Sequence, residues 1–268
     1  MSNDGVAYYV SPLLRAIAVP HAFSTRIGGV SPSPFDSMNL GNPTGCAVQD
    51  EDERIRENFT RLQRAIGAED RTRAWVYQVH ENRVAKFDKQ TASGEKADAV
   101  VTACPSRIAT VRVADCVPIL AASGDGKIVA SIHAGWRRIV ACVIPAAIAE
   151  IQTQLQTSEP PTPREAEMKI IAAIGPCIGF HAFEVGAEVL AEFDRIFGTA
   201  APMRRTEAGK GFVDLREAAR QQLIDAGISP DSIDTTDRCT VAHRDEFFSH
   251  RRDRGVTGRM AALIGVRA

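Results

Sequence analysis

The chain has 268 residues, 44% apolar and 24% charged, with 32 lysines and arginines set against 33 acids. A chain of this length buries a substantial core, and a formal charge of −1 excludes the strongly basic footprint expected of a nucleic-acid or anionic-membrane binder. Met1 to Val10 has no basic stretch ahead of an apolar run, and no apolar run approaches the roughly 18 residues of a membrane span, so a cytoplasmic enzyme is expected.

The first sharp signal in chain order is a loop from Phe23 to Gly41, where Gly28-Gly29, two prolines and several small polar residues interrupt any regular element. From Glu51 to Ile66, the apolar positions Ile55, Phe59, Leu62 and Ile66 recur at helical spacing. Acids crowd the start and Gly67 follows the end. Arg73 to His80 reads as a strand, Glu81-Asn82 as a turn, and a second strand runs through Phe87. Ile108 to Leu120 reads as a strand bent near Asp115-Cys116-Val117-Pro118, which Pro118 should place at an edge or a bulge. Lys127 to His133 is a further strand. The apolar positions from Ile139 to Ile151 describe an amphipathic helix that Pro145 should kink.

The stretch from Ser158 to Glu165, rich in proline, reads as a surface loop within a single domain spanning 1–268. Met168 to Ile174 is a buried-type strand that ends at Gly175-Pro-Cys-Ile-Gly179. Helices are expected from Ala187 to Phe197 and from Asp214 to Ala226; the second has Asp214 as N-cap, Glu217 three residues on, and Gly227 past its end. A last strand follows Gly258. Strands and helices alternate without repeats or regular βαβ spacing, which points to a mixed α+β layered domain.

Six cysteines include no Cys-x-x-Cys pair, and a chain this long needs no disulfide staples, so reduced thiols are expected. His80, Cys116 and His133 each fall where a predicted strand ends or breaks, where a scaffold brings distant residues together. Two histidines and a cysteine form a catalytic zinc ligand set with an open fourth position. Cys116 and His133 also suit a metal-free nucleophile and base, with Asp115 orienting them or accepting backbone hydrogen bonds; the residues alone leave both readings open. Arg26 on the glycine-rich loop suits phosphate or a nucleoside, or else pairs with backbone carbonyls, and Arg251 has similar standing. Gln78 suits a base edge or a cross-sheet pair. Cys177 reads as packed, Trp75 and Trp136 as core or pocket wall, and His21, His181 and His243 as structural.

Several short blocks follow in order: Ser24-Thr-Arg-x-Gly-Gly, Asn39-Leu-Gly41, Gln78-Val-His80, Ala97-Asp98-Ala-Val-Val-Thr102, Ala114-Asp-Cys-Val-Pro118, His133-Ala-Gly-Trp136, Gly175-Pro-Cys-Ile-Gly179 and Phe247-Phe-Ser-His-Arg-Arg252. Together they closely resemble the multifunctional purine nucleoside phosphorylase family, also known as the polyphenol oxidase, laccase-domain or peptidoglycan editing factor family. The resemblance implies an α/β/β/α-type layered fold with mixed sheets. It also implies a zinc site at His80, Cys116 and His133, phosphorolysis of adenosine, inosine, guanosine and methylthioadenosine, and adenosine deamination. Two departures stand out: Arg137-Arg138 where relatives often read Arg-Gly, and His250 where they often carry tyrosine.

A multicopper oxidase is disfavoured, because its ligands commonly come as His-x-His and the six histidines here form no such pair. Cu2+ is expected only as a substitute for zinc, with weak oxidase activity as a consequence. The His-x-Glu with Pro-Cys-x-x-Cys signature of nucleobase deaminases is absent as well. The expected partners are a small-molecule purine nucleoside and phosphate, in a monomer or homodimer, and the competing function is an amidase that edits cell-wall precursors.

Overall fold

Apolar runs buried on both faces make two central sheets, which is why these strands read as near-continuous apolar stretches rather than alternating ones. The structure, a computed structural model, describes residues 5–78, 82–157, 169–206 and 209–268. The first sheet runs in the order β1 (Tyr8–Tyr9), β2 (His21–Ser24), β14 (Met260–Gly265), β6 (Arg107–Val113), β3 (Thr72–Trp75). The second runs β13 (Ile233–Thr235), β9 (Ile170–Ile174), β7 (Val117–Ser123), β8 (Val129–Ala134), β5 (Ala99–Thr102), β4 (Val84–Phe87). Both are mixed: β3–β6, β4–β5 and β13–β9 are parallel, and the remaining pairs are antiparallel. A small third sheet joins β10 (Glu184–Val185), β12 (Gly211–Val213) and β11 (Met203–Arg205); the sequence gives little warning of it.

The period of two in each strand sorts side chains into three apolar layers. Phe23, Val111 and Ile264 of the first sheet meet Leu120, Val129 and Ile171 of the second, with Leu14 of α1 (Pro12–Ala16) in the same layer. The opposite face of the second sheet, with Ile119, Ile132 and Ile174, packs on α3 (Trp136–Val140), α4 (Val143–Thr157), α5 (Ala187–Phe197) and α6 (Leu215–Asp225) through Ile139, Ile148, Phe193 and Leu223. The outer face of the first sheet, with Ala22, Ile108 and Leu263, is covered by Phe59 and Leu62 of α2 (Asp52–Ala65). The result is the expected α/β/β/α arrangement. No described helix is long and apolar enough to cross a membrane.

Several local expectations need correction. The bent strand from Ile108 to Leu120 is two strands in different sheets, β6 and β7, and the chain crosses between layers at Ala114–Cys116. β3 and β4 likewise lie in different sheets. Pro118 sits in central β7 rather than at an edge. Its carbonyl accepts from Gly175 N–H at 2.9 Å, just beyond the end of β9, so only a terminal ladder bond is forgone. Pro145 does not kink a helix: the break comes earlier, at Cys142 with φ 62, and Pro145 falls in the first turn of α4, where its missing N–H is not needed. The proline-rich stretch after Thr157 lies outside the described residues.

Candidate active site

The crossing from β6 to β7 places Cys116. Asp115 there adopts φ 84, a conformation rare outside glycine and held only where the surroundings fix it. Its Oδ1 accepts from the Thr240 hydroxyl at 2.6 Å, its Oδ2 from the Arg251 amide at 2.7 Å, and its carbonyl from the Ile178 amide at 2.9 Å. Three distant motifs thus converge on the residue before Cys116. In the β7–β8 register, Val117 lies opposite Ala134 and Pro118 opposite His133. Cys116 therefore faces Gly135 and sits diagonal to His133 on the same side of the sheet, within reach of a shared ligand. A Cβ on Gly135 would stand 2.9 Å from the Cys116 sulfur and 3.2 Å from Arg138 Nη1, so the His-Ala-Gly turn leaves room for both groups.

His133 is buried, and its amide bonds Asp98 O at 2.9 Å. Its Nδ1 lies 3.4 Å from Asp98 Oδ1, and the same oxygen accepts from Arg138 Nε at 2.9 Å. A carboxylate against Nδ1 orients the ring and leaves Nε2 as the electron-pair donor, the arrangement found behind metal-bound histidines. Burial pushes the Cys116 thiol up to about 11, against the opposing pull of Arg138 and Arg259. A thiol and an imidazole so placed fit a soft cation, and they equally fit a nucleophile with its base. His80 lies outside the described residues. Gln78 pairs with the Arg112 backbone, its Nε2 donating to O at 2.9 Å and its Oε1 accepting from N at 3.1 Å; that is the cross-sheet role rather than a free base-reading one. Among the described residues, no group of three or more His, Cys, Asp or Glu side chains is placed to hold a metal.

The other candidates fall at varying distance from this centre. Arg26 donates to Asp36 O at 2.7 Å, to Asp36 Oδ2 at 3.1 Å and to Arg244 O at 3.2 Å, and it stacks 4.6 Å from the Phe248 ring centre. It ties its loop to the C-terminal region. Arg251 is exposed, donates once to Glu184 O at 2.9 Å, and lies 5.2 Å from the Phe183 ring centre. Cys177 is fully buried, with its thiol pushed up to about 12 by desolvation. His21 is buried between Ser11 N–H and Val19 O, both at 2.9 Å. Asp98 and Arg138 carried no assigned role in the sequence. A single acid opening the apolar run Ala99-Val-Val was the available signal for Asp98, and the departure at Arg138 was the signal for the guanidinium.

A family model described as multi-copper polyphenol oxidoreductase laccase matches residues 20–267. A Shigella flexneri protein named purine nucleoside phosphorylase YfiH is 36% identical over 253 residues, covering 94% of this chain and 95% of that one. A Deinococcus radiodurans protein named purine nucleoside phosphorylase is 35% identical over 257 residues, 95% and 93% of the two chains. Among solved structures, Bacillus licheniformis hypothetical protein YfiH superposes with a TM-score of 0.83 at 27% identity, covering 98% of this chain and 97% of that one. Geobacillus stearothermophilus YlmD gives 0.83 at 29% identity over 100% and 98%. With nearly its whole length matched in sequence and in fold, this chain belongs to the multi-copper polyphenol oxidoreductase laccase family.

Proposed function

We propose that this protein is a zinc-dependent purine nucleoside phosphorylase, acting on adenosine, inosine, guanosine and methylthioadenosine, with adenosine deamination as a side activity. The observation that carries the reading is Cys116 diagonal to a His133 whose Nδ1 faces Asp98, in a chain whose 36%-identical relatives bear the phosphorylase name. His80, Cys116 and His133 would hold the metal, and Cu2+ would compete with zinc for the same ligands. A bound zinc supplies Lewis acidity and lowers the pKa of a coordinated water. Asp98 fixes the His133 ring, Asp115 fixes the turn that presents Cys116, and Arg251 is proposed at the substrate edge. Arg26 is proposed to act on substrate through the loop it ties down.

In phosphorolysis, a phosphate oxygen bonds to the ribose C1′, the C1′–N9 bond breaks, and the electron pair leaves with the purine, which takes up a proton. The products are free base and ribose 1-phosphate. Deamination instead adds water at C6 and releases ammonia. The test is chromatography of inosine and adenosine reactions with and without phosphate. Base release that requires phosphate and yields ribose 1-phosphate supports the reading, with deamination continuing when phosphate is omitted. Free ribose without phosphate makes the protein a nucleosidase. No reaction with any purine nucleoside, alongside cleavage of an aminoacylated cell-wall precursor, makes it an editing amidase.

A further inference from the structure

The outer face of the first sheet carries Arg73, Arg112 and Arg259, and among the described residues none of the three is ion-paired with a carboxylate. Arg112 shares its face of β6 with Ile108, and β14 runs antiparallel beside it with Ala261 opposite Arg112. Arg259, just ahead of β14, therefore falls opposite Ala114 and diagonal to Arg112 on that same face. The Arg112 guanidinium lies 5.9 Å from the Trp75 ring centre, and Trp75 stacks edge-on against Tyr77, which is 56% exposed and opens the group to solvent. Among the described residues, nothing hydrogen-bonds or ion-pairs the Arg112 side chain, while its backbone N–H and C=O bond the Gln78 amide. Arg259 donates from Nη1 to Thr257 O at 3.0 Å and Gly258 O at 3.1 Å, and no ion pair joins it to a described carboxylate.

The Asn39-Leu40-Gly41 motif is built around this pair. Asn39 Oδ1 accepts from Arg259 N–H at 2.9 Å and from Gly41 N–H at 3.1 Å, while Leu40 N–H donates to Arg259 O at 2.9 Å. A Cβ on Gly41 would come within 2.8 Å of Arg112 Cδ and Nη1, so the loop lies directly against that guanidinium and a side chain at 41 would displace it. Burial lowers the pKa of both arginines, and Arg112 pushes Arg259 and Arg73 further down. Arg259 falls opposite Ala114, two residues ahead of Cys116, so it stands at the end of β6 where the chain turns toward the candidate active site. Asp115 accepts from the Thr240 hydroxyl and the Arg251 amide and forms no ion pair with Arg259. Partly buried cations left without counter-charge are costly, and a bound anion relieves that cost.

We propose that Arg112 and Arg259 form a tetrahedral-oxyanion subsite adjoining Cys116, and that its occupant is the inorganic phosphate that attacks the ribosyl carbon. The inference rests on the phosphorylase reading for the identity of the occupant. It assigns the counter-charge to side chains without a carboxylate partner among the described residues, whereas Arg26 is ion-paired with Asp36. A planar guanidinium fork matches two phosphate oxygens at once. The same chemistry would accept the phosphate ester of a nucleoside monophosphate, so the test separates the two sources.

The experiment titrates inorganic phosphate, and separately inosine 5′-monophosphate, into wild type, Arg112→Leu, Arg112→Lys and Arg259→Lys, following binding by calorimetry and folding by circular dichroism. Phosphate kinetics with saturating inosine are measured on the same proteins. Phosphate affinity should fall about tenfold or more in Arg112→Leu and less in the lysine variants, as expected for losing charge-assisted hydrogen bonds. The phosphate KM should rise by a similar factor, with a much smaller change in the inosine KM. If Arg112→Leu fails to fold, the two lysine variants carry the same comparison. Phosphate binding that weakens in the variants, in a protein without phosphorylase turnover, upholds the subsite and removes the phosphorylase reading. Selective binding of the monophosphate over phosphate overturns the assignment of the occupant. Folded variants that bind phosphate as wild type does overturn the subsite.

Discussion

A carboxylate with no exposed surface, as Asp98 has, keeps its charge only if donors answer its oxygens. Arg138 Nε and His133 Nδ1 both face Oδ1, so one residue sets the ring orientation and neutralises a neighbouring cation. Asp98→Asn should retain the fold, weaken zinc retention about 10–100-fold, and lower turnover in parallel, as removal of a carboxylate behind a ligating histidine typically does. The readout is zinc competition against a chelator, with elemental analysis of wild type giving about one zinc per chain under mild purification. Wild type that is active without tightly held metal would instead favour Cys116 as nucleophile with His133 as base. Cys116 and His133 stood out as candidates in the sequence because thiols and imidazoles are sparse and chemically distinctive. Asp98 and Arg138 were not, since an acid or an arginine gains its role here only from partners 35 and 40 positions apart in the chain.

At the scale of elements, local signals held wherever the stabilising contact is itself local. Asp214 accepts from Arg216 N–H and Glu217 N–H, both at 3.0 Å, and caps α6 as its spacing indicated. Asp214→Ala should lower stability by about 1 kcal/mol, seen as a lower denaturation midpoint with an unchanged slope. Signals failed where the deciding contact is remote. The run from Ile108 to Leu120 has strand character throughout, yet nothing in its composition says that it changes sheets at Asp115. That change is held by Thr240, Arg251 and Ile178. Pro145 likewise marks an interruption, but the break at Cys142 determines which turn the proline occupies.

At the scale of the molecule, the first sheet closes around β2, whose His21 is buried with its Nε2 accepting from Ser11 and its Nδ1 donating to Val19. Burial lowers its pKa below the ordinary value of 6.5, so the folded state holds it neutral while the unfolded chain takes up a proton. Its contribution to stability is complete above about pH 6.5 and is lost as pH falls toward and through the lowered folded value. Thermal denaturation between about pH 8 and 5 should show that decline, and His21→Gln should have a lower but flatter profile over the same range. An equal slope in both proteins would assign the acid sensitivity to other groups.

The sequence by itself determined the layered α+β class and the limits of α2, α5 and α6 to within a residue, and it singled out Cys116 and His133 as candidates. Those rest on apolar periodicity, capping and distinctive side-chain chemistry, all of which act over a few residues. Tertiary structure alone decided that β6 and β7 belong to different sheets, that Asp98 backs His133, that Arg26 is bound to Asp36 and Arg244, and that Arg112 and Arg259 lie diagonal on one face of the first sheet. Each depends on strand order and register, and β14, near the end of the chain, pairs between β2 and β6. Such pairings are fixed by packing the whole sheet at once, so no local stretch of sequence encodes them.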